Sequence, residues 1–472
     1  MAPADAVAAP SGERHGGGLL VARKRRRVRR GLRGDPGARR ARRRADAGDR
    51  ARADAHGGAV SAAGAGPVLV AALARLAARR GAWIALLAVA LAVRLAVVAT
   101  APPRLIWTDG RWYESIGWSL ASRGTYGRET FYPPAYPTLI AGVYTVFGRD
   151  LTALRVTDAC VSTATVGLVG AIGTWLFAPA AGLLAAAFAA FHPVFALLPI
   201  THHVENLLVF LSTLAFGSLA WAVRAPSVGR WAAAGLAYAL FLLCKPTVVA
   251  LLPGLAAGAA LTLARRRALR WTHAAMFVLA LAAGLAPWTL RNHRVHGAWF
   301  LVGTGGGVQL WRGNSDIATG STTWNPMPTP AMMESLAVRP DPVARDRFFV
   351  DLAVRWMREH PRRALELYFV KLGNLWALWP NTQTDSGYRG TAQNAVMAVC
   401  SLTLYAGTAL ALATGAARGL VLFPLALLSF SLIAPWALMV MRYRMSFEVL
   451  LIWLSAAGWV AWLGRRARPG AA

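Results

Sequence analysis

The stretch WIALLAVALAVRLAVVATAPPRLIWTDGRWYE, residues 83–114, joins a long apolar run to an aromatic segment that carries acids. The run Trp83–Val98 contains one charge, Arg94, and is typical of a membrane-spanning helix, although a full crossing needs about 20 residues. Asp109 follows soon after, among tryptophans and a tyrosine. An ordinary loop acid at a membrane surface and an acid that takes part in a reaction there both agree with this position.

Similar apolar runs recur along most of the chain. The 472 residues are 56% hydrophobic and 15% charged, with a mean hydropathy of +0.42, whereas about a quarter of a typical soluble protein is charged. This composition predicts an all-α polytopic membrane protein. The cysteines, Cys160, Cys244 and Cys400, fall inside apolar runs, which indicates small buried hydrophobes rather than a disulfide framework or a metal motif.

The formal net charge of +30 is unevenly distributed. Much of the excess lies in residues 1–60 and more lies in short loops between apolar runs, as the positive-inside rule produces, so we expect no nucleic-acid partner. Residues 1–65 are rich in Ala, Gly and Arg and predict a disordered basic cytoplasmic tail. This tail is either an arm that contacts anionic membrane lipids or a solvated low-complexity extension. The membrane domain is expected at 80–465, with a short cytoplasmic tail at 466–472.

The apolar runs define ten candidate spans. They are Trp83–Val98, Leu151–Phe177, Ala181–Leu198, Glu205–Val223, Trp231–Cys244, Val248–Leu263, Thr272–Leu290, Ala392–Thr414, Leu420–Met441 and Phe447–Leu463. With ten crossings, basic loop residues such as Arg79, Arg224 and Arg265 share one side, which the positive-inside rule identifies as the cytoplasm, and both termini are cytoplasmic. The apolar segment Arg363–Pro380 would upset this arrangement as a further crossing, so we expect an interfacial helix on the outer face.

Two longer connecting segments, residues 100–150 and 291–390, are then external, and the second is long enough for a small lid or subdomain. Ionisable residues gather at the external ends of the spans, where each is expensive to place in hydrocarbon. This external layer of charge comprises Arg94, Asp109, Arg155, Asp158, Glu205, Lys245, Arg291, Arg442 and Arg444.

Some members of this layer have a plain structural explanation. Arg155 and Asp158 are three residues apart on a helix, and we expect them to pair with each other. His202 and His203, beside Glu205, are expected to be loop residues, because no third ligand stands at a spacing that is recognised for metal sites.

The remaining combination of carboxylates, cations and aromatic rings suits one kind of chemistry. Arg442 and Arg444 oppose the positive-inside rule, which favours a functional role, and Arg can bind a phosphate bidentately. Nucleotide-sugars are not available outside the cytoplasmic membrane, so an activated sugar there would be attached to a lipid phosphate. Its transfer needs a carboxylate that accepts the proton of the acceptor hydroxyl, and cations that stabilise the departing phosphate.

Several segments also resemble a known family. In the order TDGRWY, FYPPAYPTLIAGVYTVFG, HHVENLL, LLCKPT, APWTLRNHRVHGAWFLVGTGGGVQLWRGNS and RYRMSFEVLL, they are similar to membrane glycosyltransferases of the GT-C fold. The similarity is greatest to the bacterial family 39 type, which includes protein O-mannosyltransferase relatives, the aminoarabinose transferase of lipid A and rhizobial lipopolysaccharide-core transferases.

The resemblance implies a GT-C-like helix bundle with external juxtamembrane helices and an inverting glycosyltransferase. Such an enzyme moves a hexosyl or pentosyl group from a polyprenyl-phosphate donor to a lipid, glycan or protein hydroxyl. It acts on the outer face of the bacterial cytoplasmic membrane. A transporter or flippase of lipid-linked saccharide is the alternative. Such a protein often has duplicated halves and charges near mid-bilayer, and this sequence shows neither feature.

The resemblance also implies roles for individual residues. Asp109 takes the place of the acid in the first external loop and would be the catalytic base, and Glu205 resembles a second catalytic acid. The candidate substrate-binding residues are Tyr113, Lys245, Arg291, Asn292, Arg442, Tyr443 and Arg444. The three arginines among them would hold the phosphate, with help from the lysine.

Two positions depart from the family pattern. Relatives often carry a second acid directly after the loop aspartate, where this chain has Gly110, and a proline where it has Ser446. The glycine weakens any metal site at Asp109, so no metal ligand is assigned, although a divalent metal remains compatible with the family.

The segment after Asp109 has helical periodicity. Tyr113, Ile116 and Leu120 fall on one face, which predicts a short helix on the outer membrane surface with tryptophans as interfacial anchors. Asp109 would then stand where the first span meets this helix, and it is our first choice for the base.

Overall fold

A computed structural model of the chain describes residues 65–105, 107–268, 270–320, 329–339, 341–380 and 390–465. All of them belong to one structural unit, Ala63–Ala472. The tails expected at 1–65 and 466–472 lie outside the described residues, except for Ala65, which begins the first helix.

The described residues form helices and connecting loops, with no strand among them, which confirms the all-α prediction. In chain order the helices are α1 (Ala65–Ala77), α2 (Arg80–Thr100), α3 (Thr108–Arg123), α4 (Ala135–Phe147), α5 (Leu151–Leu176), α6 (Pro179–Phe191), α7 (Pro193–Thr201), α8 (Glu205–Arg224), α9 (Val228–Cys244), α10 (Leu252–Arg265), α11 (Trp271–His296), α12 (Gly306–Gly313), α13 (Pro330–Ala337), α14 (Pro342–Glu359), α15 (Pro361–Leu375), α16 (Thr391–Thr414), α17 (Leu422–Ile433) and α18 (Glu448–Arg465). Short 3-10 segments lie at Pro246–Leu251, Arg418–Leu420, Ala434–Trp436 and Met441–Ser446.

All ten predicted spans are largely helical, but they differ in length. By length and composition, six helical segments in the described part of the chain can cross a membrane: α2, α5, α8, α10 with the preceding 3-10 segment, α11 and α16. The pair α6 and α7 passes the same test together, which would make seven. The spans predicted at Trp231–Cys244 and Leu420–Met441 correspond to shorter apolar helices. The last predicted span, Phe447–Leu463, corresponds to α18. The chain is therefore a polytopic membrane protein.

The predicted span Ala181–Leu198 is broken rather than continuous. Its two halves, α6 and α7, meet at a bend of 48°. Pro193 begins the second half, and proline interrupts a helix because it has no N–H to donate and its ring crowds the preceding turn. The bend sets the path of the chain into His202 and Glu205.

The last helix, α18, lies in the middle of the packing. The first eleven residues of α18 are buried, and the helix packs against α16, α6 and α1. Gly458 allows the closest approach, because a Cβ there would collide with the backbone of Gly407 on α16. Small residues commonly let membrane helices approach in this way. Helix α1 had no counterpart among the predicted spans, yet it packs into the same bundle.

Arg155 and Asp158 do not pair with each other, contrary to the expectation from their spacing. The Arg155 guanidinium donates to the carbonyl oxygens of Pro102, at 2.8 Å, and Arg104, at 3.0 Å. Asp158 accepts from the Tyr136 hydroxyl at 2.7 Å. Each side chain finds partners on another segment, because the two point to different neighbours across the helix packing.

The two connecting segments contain most of the remaining helices. In the first, α3 and α4 pack face to face. In the second, α12 and α14 share a small separate core around Trp311, Phe349 and Ala353. The segment predicted as an interfacial helix is α15, and Tyr368 on it donates to carbonyl oxygens of Ser431 and Leu432.

Candidate functional site

Asp109 lies in the first turn of α3, where the N-terminal end of a helix favours a negative charge. One carboxylate oxygen, Oδ2, accepts from Arg442 Nη2 at 2.9 Å, and the side chains are 34% and 36% exposed. The other oxygen accepts a longer bond of 3.4 Å from the Tyr132 hydroxyl. Asp109 is therefore anchored on one side while a third of its side chain stays open to a second molecule.

Gly110 has a structural explanation. Helix α3 approaches the backbone at the end of α7 so closely that a Cβ at position 110 would lie 2.9 Å from the Thr201 carbonyl oxygen and 3.2 Å from His202 Cβ. Any larger side chain at this position would force the two segments apart, so this packing requires a glycine.

Glu205 and Lys245 form the second ion pair of the site. Glu205 begins α8 and is buried, and its Oε1 lies 2.6 Å from Lys245 Nζ at the C-terminal end of α9. The lysine ammonium also lies 4.2 Å from the centroid of the Tyr443 ring, within range of a cation–π contact. Pro246 ends α9 here and turns the chain away, so Lys245 is held at the helix end.

Arg442 connects the two ion pairs. Its Nε lies 3.9 Å from Glu205 Oε1, and its Nη2 binds Asp109. Burial acts to lower the pKa of Arg442, but Glu205 and Asp109 outweigh burial and raise it above its ordinary value. Asp109, Glu205, Lys245 and Arg442 are termed the charge cluster below. These four residues, predicted to share one external layer, are in direct contact.

Aromatic side chains border the charge cluster. The buried Tyr113 ring packs edge-on against Tyr132, with ring centroids 4.9 Å apart. Trp112 is 52% exposed and stacks on Tyr132 at 6.2 Å. Tyr113 therefore supports the Tyr132 ring next to Asp109, while half of the Trp112 side chain stays exposed.

Sequence reasoning treated His203 as a plain loop residue, but the structure places it beside the charge cluster. Its ring meets Trp107 edge-on at 5.7 Å, and its buried Nε2 has no hydrogen-bond partner among the described residues. Burial, together with the positive charge of Arg442, lowers the pKa of His203 to about 4, so the ring is neutral at pH 7. Its position next to Glu205 in HHVENLL was the available signal.

Sequence reasoning did not single out Arg312. It lies near the end of α12, and Tyr443, Tyr132 and Asp109 are the groups that interact with its charge. Burial lowers its pKa despite these neighbours. Its place inside the motif VQLWRGNS gave no indication that it faces residues more than 100 positions away.

Arg291 and Asn292 lie outside the charge cluster. The Arg291 guanidinium donates to the Gly127 carbonyl oxygen and lies 4.7 Å from the Trp288 ring and 5.3 Å from the Tyr126 ring. Asn292 is buried and donates to the Phe300 carbonyl oxygen at 3.2 Å. Both residues fasten the end of α11 to its surroundings, so we do not retain them as phosphate contacts.

Arg291→Met should loosen the first connecting segment without removing a substrate contact. The lost cation–π and hydrogen-bond contacts are worth about 1–2 kcal/mol in total. We expect faster proteolysis near Gly127 and unchanged polyprenyl-phosphate binding by the intact protein. Arg294→Met, at an exposed position on the same helix, is the matched control and should change neither. Loss of phosphate binding in Arg291→Met alone would restore the role that the motif resemblance implied.

Arg444 is also separate from the charge cluster. It is fully buried, and its Nε donates to Glu448 Oε2 at 2.7 Å. Further bonds run to the Ala377 carbonyl oxygen, the Tyr405 hydroxyl and the Ser401 hydroxyl. With its guanidinium occupied inside the protein, Arg444 does not reach a substrate, in contrast to the expected phosphate contact.

The described residues contain no group of three or more His, Cys, Asp or Glu side chains that could hold a metal ion. The carboxylates of the charge cluster are bound to cations instead. Asp109 therefore belongs to no set of metal ligands in the described part of the chain, so the donor set does not fit a divalent metal, and no step below uses one.

Comparison with known families identifies part of the chain. Residues 132–289 match the family model described as dolichyl-phosphate-mannose-protein mannosyltransferase. This segment includes Glu205 and Lys245, whereas Asp109 and Arg442 lie outside it. A comparison with curated protein sequences finds no match.

Solved structures with similar chains include two of an Archaeoglobus fulgidus oligosaccharyltransferase and one of ArnT. The apo oligosaccharyltransferase of Archaeoglobus fulgidus is 14% identical with a TM-score of 0.47, covering 80% of this chain and 50% of that one. AglB from the same organism, with an inhibitory peptide and dolichol-phosphate, is 13% identical with a TM-score of 0.45 and the same coverages, 80% and 50%. ArnT from Cupriavidus metallidurans, bound to undecaprenyl phosphate, is 16% identical with a TM-score of 0.39, covering 82% and 78%.

The chain spans about half the length of the archaeal oligosaccharyltransferase. The family match covers residues 132–289, from Tyr132 to the last third of α11. The resemblance to GT-C membrane glycosyltransferases that the sequence motifs predict is thereby confirmed, and the match over residues 132–289 carries it.

Proposed function

We propose that the chain is an inverting glycosyltransferase that moves a sugar from a polyprenyl-phosphate donor to a hydroxyl acceptor. The observation that carries the proposal is a partly exposed carboxylate, Asp109, held by Arg442 beside a second pair, Glu205 and Lys245. The cluster lies where α3, α8 and α9 meet in an apolar helix bundle. The family match over residues 132–289 supports glycosyl transfer in general.

Asp109 is the proposed general base. It accepts the proton of the acceptor hydroxyl while that oxygen attacks C1 of the donor sugar. The bond between C1 and the phosphate oxygen breaks, and its electron pair leaves with the polyprenyl phosphate. The products are the glycosylated acceptor and the lipid phosphate, with inversion at C1. A glycosyl phosphoester already has a good leaving group, so the reaction needs a base and cations more than a strong acid.

The proposed roles of the other charged residues follow from their pairing. Arg442 holds Asp109 in place and carries positive charge toward the open side of the site. Lys245 adds a second cation. Glu205 is buried and holds Lys245, and its other oxygen, Oε2, has no hydrogen-bond partner among the described residues.

The remaining elements of the proposal come from the sequence. The distribution of basic loop residues supports an outer-face position for the charge cluster, and the membrane we propose is a bacterial cytoplasmic membrane. There a lipid-linked donor is the available form of an activated sugar, and the acceptor is a hydroxyl of a lipid, glycan or protein. The exposed Trp112 ring next to Tyr132 suits an acceptor or donor ring, because aromatic faces stack on apolar faces of sugars.

Purified protein in lipid vesicles tests the proposal. Given polyprenyl-phosphate sugar labelled in the sugar, the wild-type chain should release unlabelled polyprenyl phosphate and produce a labelled acceptor from a membrane-envelope extract. Vesicles that move the labelled lipid across the bilayer without any transfer would favour a lipid-linked-saccharide flippase instead. If the protein shows no transfer and no donor binding with any of several donor sugars, the proposal is refuted.

A further inference from the structure

Arg312 adds a third cation next to the two ion pairs of the charge cluster. Asp109 is paired with Arg442, and Glu205 is paired with Lys245. Arg312 interacts with Asp109, Tyr132 and Tyr443, but no described residue accepts a hydrogen bond from it, and its Nε is buried without a partner. The two acids and two cations of the charge cluster, together with Arg312, therefore carry one excess positive charge.

An unpaired buried guanidinium nitrogen needs an explanation. Leaving such a donor unsatisfied destabilises the folded protein, and buried polar groups in proteins nearly always have partners. Arg312 is half-buried, so its charge is not simply solvated as on a surface. An anion bound on this side of the site would balance the positive charge of Arg312 and accept hydrogen bonds from its guanidinium.

Hydrogen bonds on both sides of Arg312 connect α12 to the rest of the site. Asn314 Nδ2 donates to the Leu310 carbonyl oxygen at 2.9 Å and to the Trp436 carbonyl oxygen at 2.6 Å. The Leu438 N–H donates to the Gln309 carbonyl oxygen at 3.0 Å. These bonds join α12 to the strand-like stretch that leads into Arg442.

The buried Lys371 on α15 reinforces the same junction. Its Nζ donates to the Gly313 carbonyl oxygen at 2.9 Å and to Asn314 Oδ1 at 3.1 Å. Gly313 has no side chain, which allows close contact, because a Cβ there would lie 2.8 Å from the Leu438 backbone nitrogen. Hydrogen bonds and close packing therefore hold the residues that follow Arg312, and no acid in the described part of the chain forms an ion pair with its guanidinium.

We propose that Arg312 binds the phosphoryl group of the lipid substrate and that it does so from the second connecting segment. This inference rests on the proposed glycosyl transfer and names a further residue for it. The guanidinium is a planar donor suited to two phosphate oxygens at once. The departing polyprenyl phosphate gains negative charge as the bond to C1 breaks, so Arg312 would bind the leaving group more strongly than the donor.

Binding measurements on the full-length protein test this inference. The probes are undecaprenyl phosphate, inorganic phosphate and phosphatidylglycerol, added to wild type, Arg312→Lys, Arg312→Met and the control Arg347→Met. Arg347 is exposed on α14 of the same segment. We expect Arg312→Met to weaken undecaprenyl-phosphate binding about tenfold or more, Arg312→Lys to weaken it less, and the control to leave it unchanged.

The outcomes separate this inference from the proposed function. Equal binding by wild type and a folded Arg312→Met, as judged by thermal unfolding, would overturn the inference even if glycosyl transfer is shown. Arg312-dependent binding of inorganic phosphate or phosphatidylglycerol, without binding of undecaprenyl phosphate, would keep the anion site and refute the polyprenyl-phosphate donor. Absence of binding for all three probes would refute the anion site.

Discussion

Asp109→Asn should lower the rate of sugar transfer by about 100- to 10,000-fold, the usual contribution of a general base. The amide keeps the shape of the side chain and can still accept a hydrogen bond from Arg442, but it cannot take the acceptor's proton. Donor binding should change much less, because Arg442, Lys245 and Glu205 remain in place. Single-turnover transfer with saturating labelled donor, compared with donor affinity measured separately, gives both quantities.

Glu114→Gln is a matched control on the same helix. Glu114 is also a carboxylate of α3 and is buried, but it pairs with Arg149 at 2.8 Å and accepts from the Tyr144 hydroxyl, away from the charge cluster. Its replacement should reduce stability and leave transfer per folded molecule near wild type. Transfer by Asp109→Asn at the wild-type rate would show that another group, with His203 the nearest alternative, takes the proton.

The sequence predicts the helices of this fold well because hydrophobic burial controls them. Every apolar run became a helix, and Asp109, Glu205 and Lys245 stand at helix ends because charge is expensive inside the apolar layer. The free-energy cost of placing charge in the apolar layer is enough to predict that these three residues lie at the same depth. The contact between Asp109 and Arg442, which are 333 positions apart, depends on how helices pack around one another. Sequence spacing carries no information about it.

Most errors in predicting the site from the sequence concern the direction in which a side chain points. The Arg442 to Arg444 tripeptide lies in a 3-10 segment, Met441–Ser446, with about three residues per turn. Residues two apart therefore project about 120° from each other rather than to the same side. Arg442 reaches Asp109 while Arg444 turns into the bundle. The motif alone does not distinguish the two arginines.

Arg312 and Lys371 were missed for a related reason. Both belong to the second connecting segment, where a charged residue is expected to be solvated and uninformative. Burial lowers the pKa of Lys371 to about 7, and carbonyl and amide oxygens accept its hydrogen bonds in the described residues. Such a residue supports the backbone of a site, and only the packing of α15 against α12 and Ala434–Trp436 reveals it.

Arg444→Met should destabilise the protein by about 3–5 kcal/mol, because Glu448 would be left as a buried carboxylate with reduced pairing. His192 Nε2, at 3.2 Å from Glu448, compensates only in part. The double variant Arg444→Met/Glu448→Met removes both charges and should recover much of this loss. Thermal unfolding in detergent, with transfer measured per folded molecule, records the two effects.

Arg442→Met provides the opposite pattern within the same tripeptide. Arg442 is 36% exposed and Glu205 keeps Lys245 as its partner, so stability should fall less than in Arg444→Met. Transfer should fall strongly, because Asp109 loses the cation that positions it. If Arg444→Met instead kept its stability and lost phosphate binding, the motif-based role of Arg444 would be correct and its assignment to the buried pair with Glu448 would be wrong. Loss of stability in Arg444→Met together with loss of transfer in Arg442→Met would show that the two arginines of RYR have different roles on different sides of one short helix.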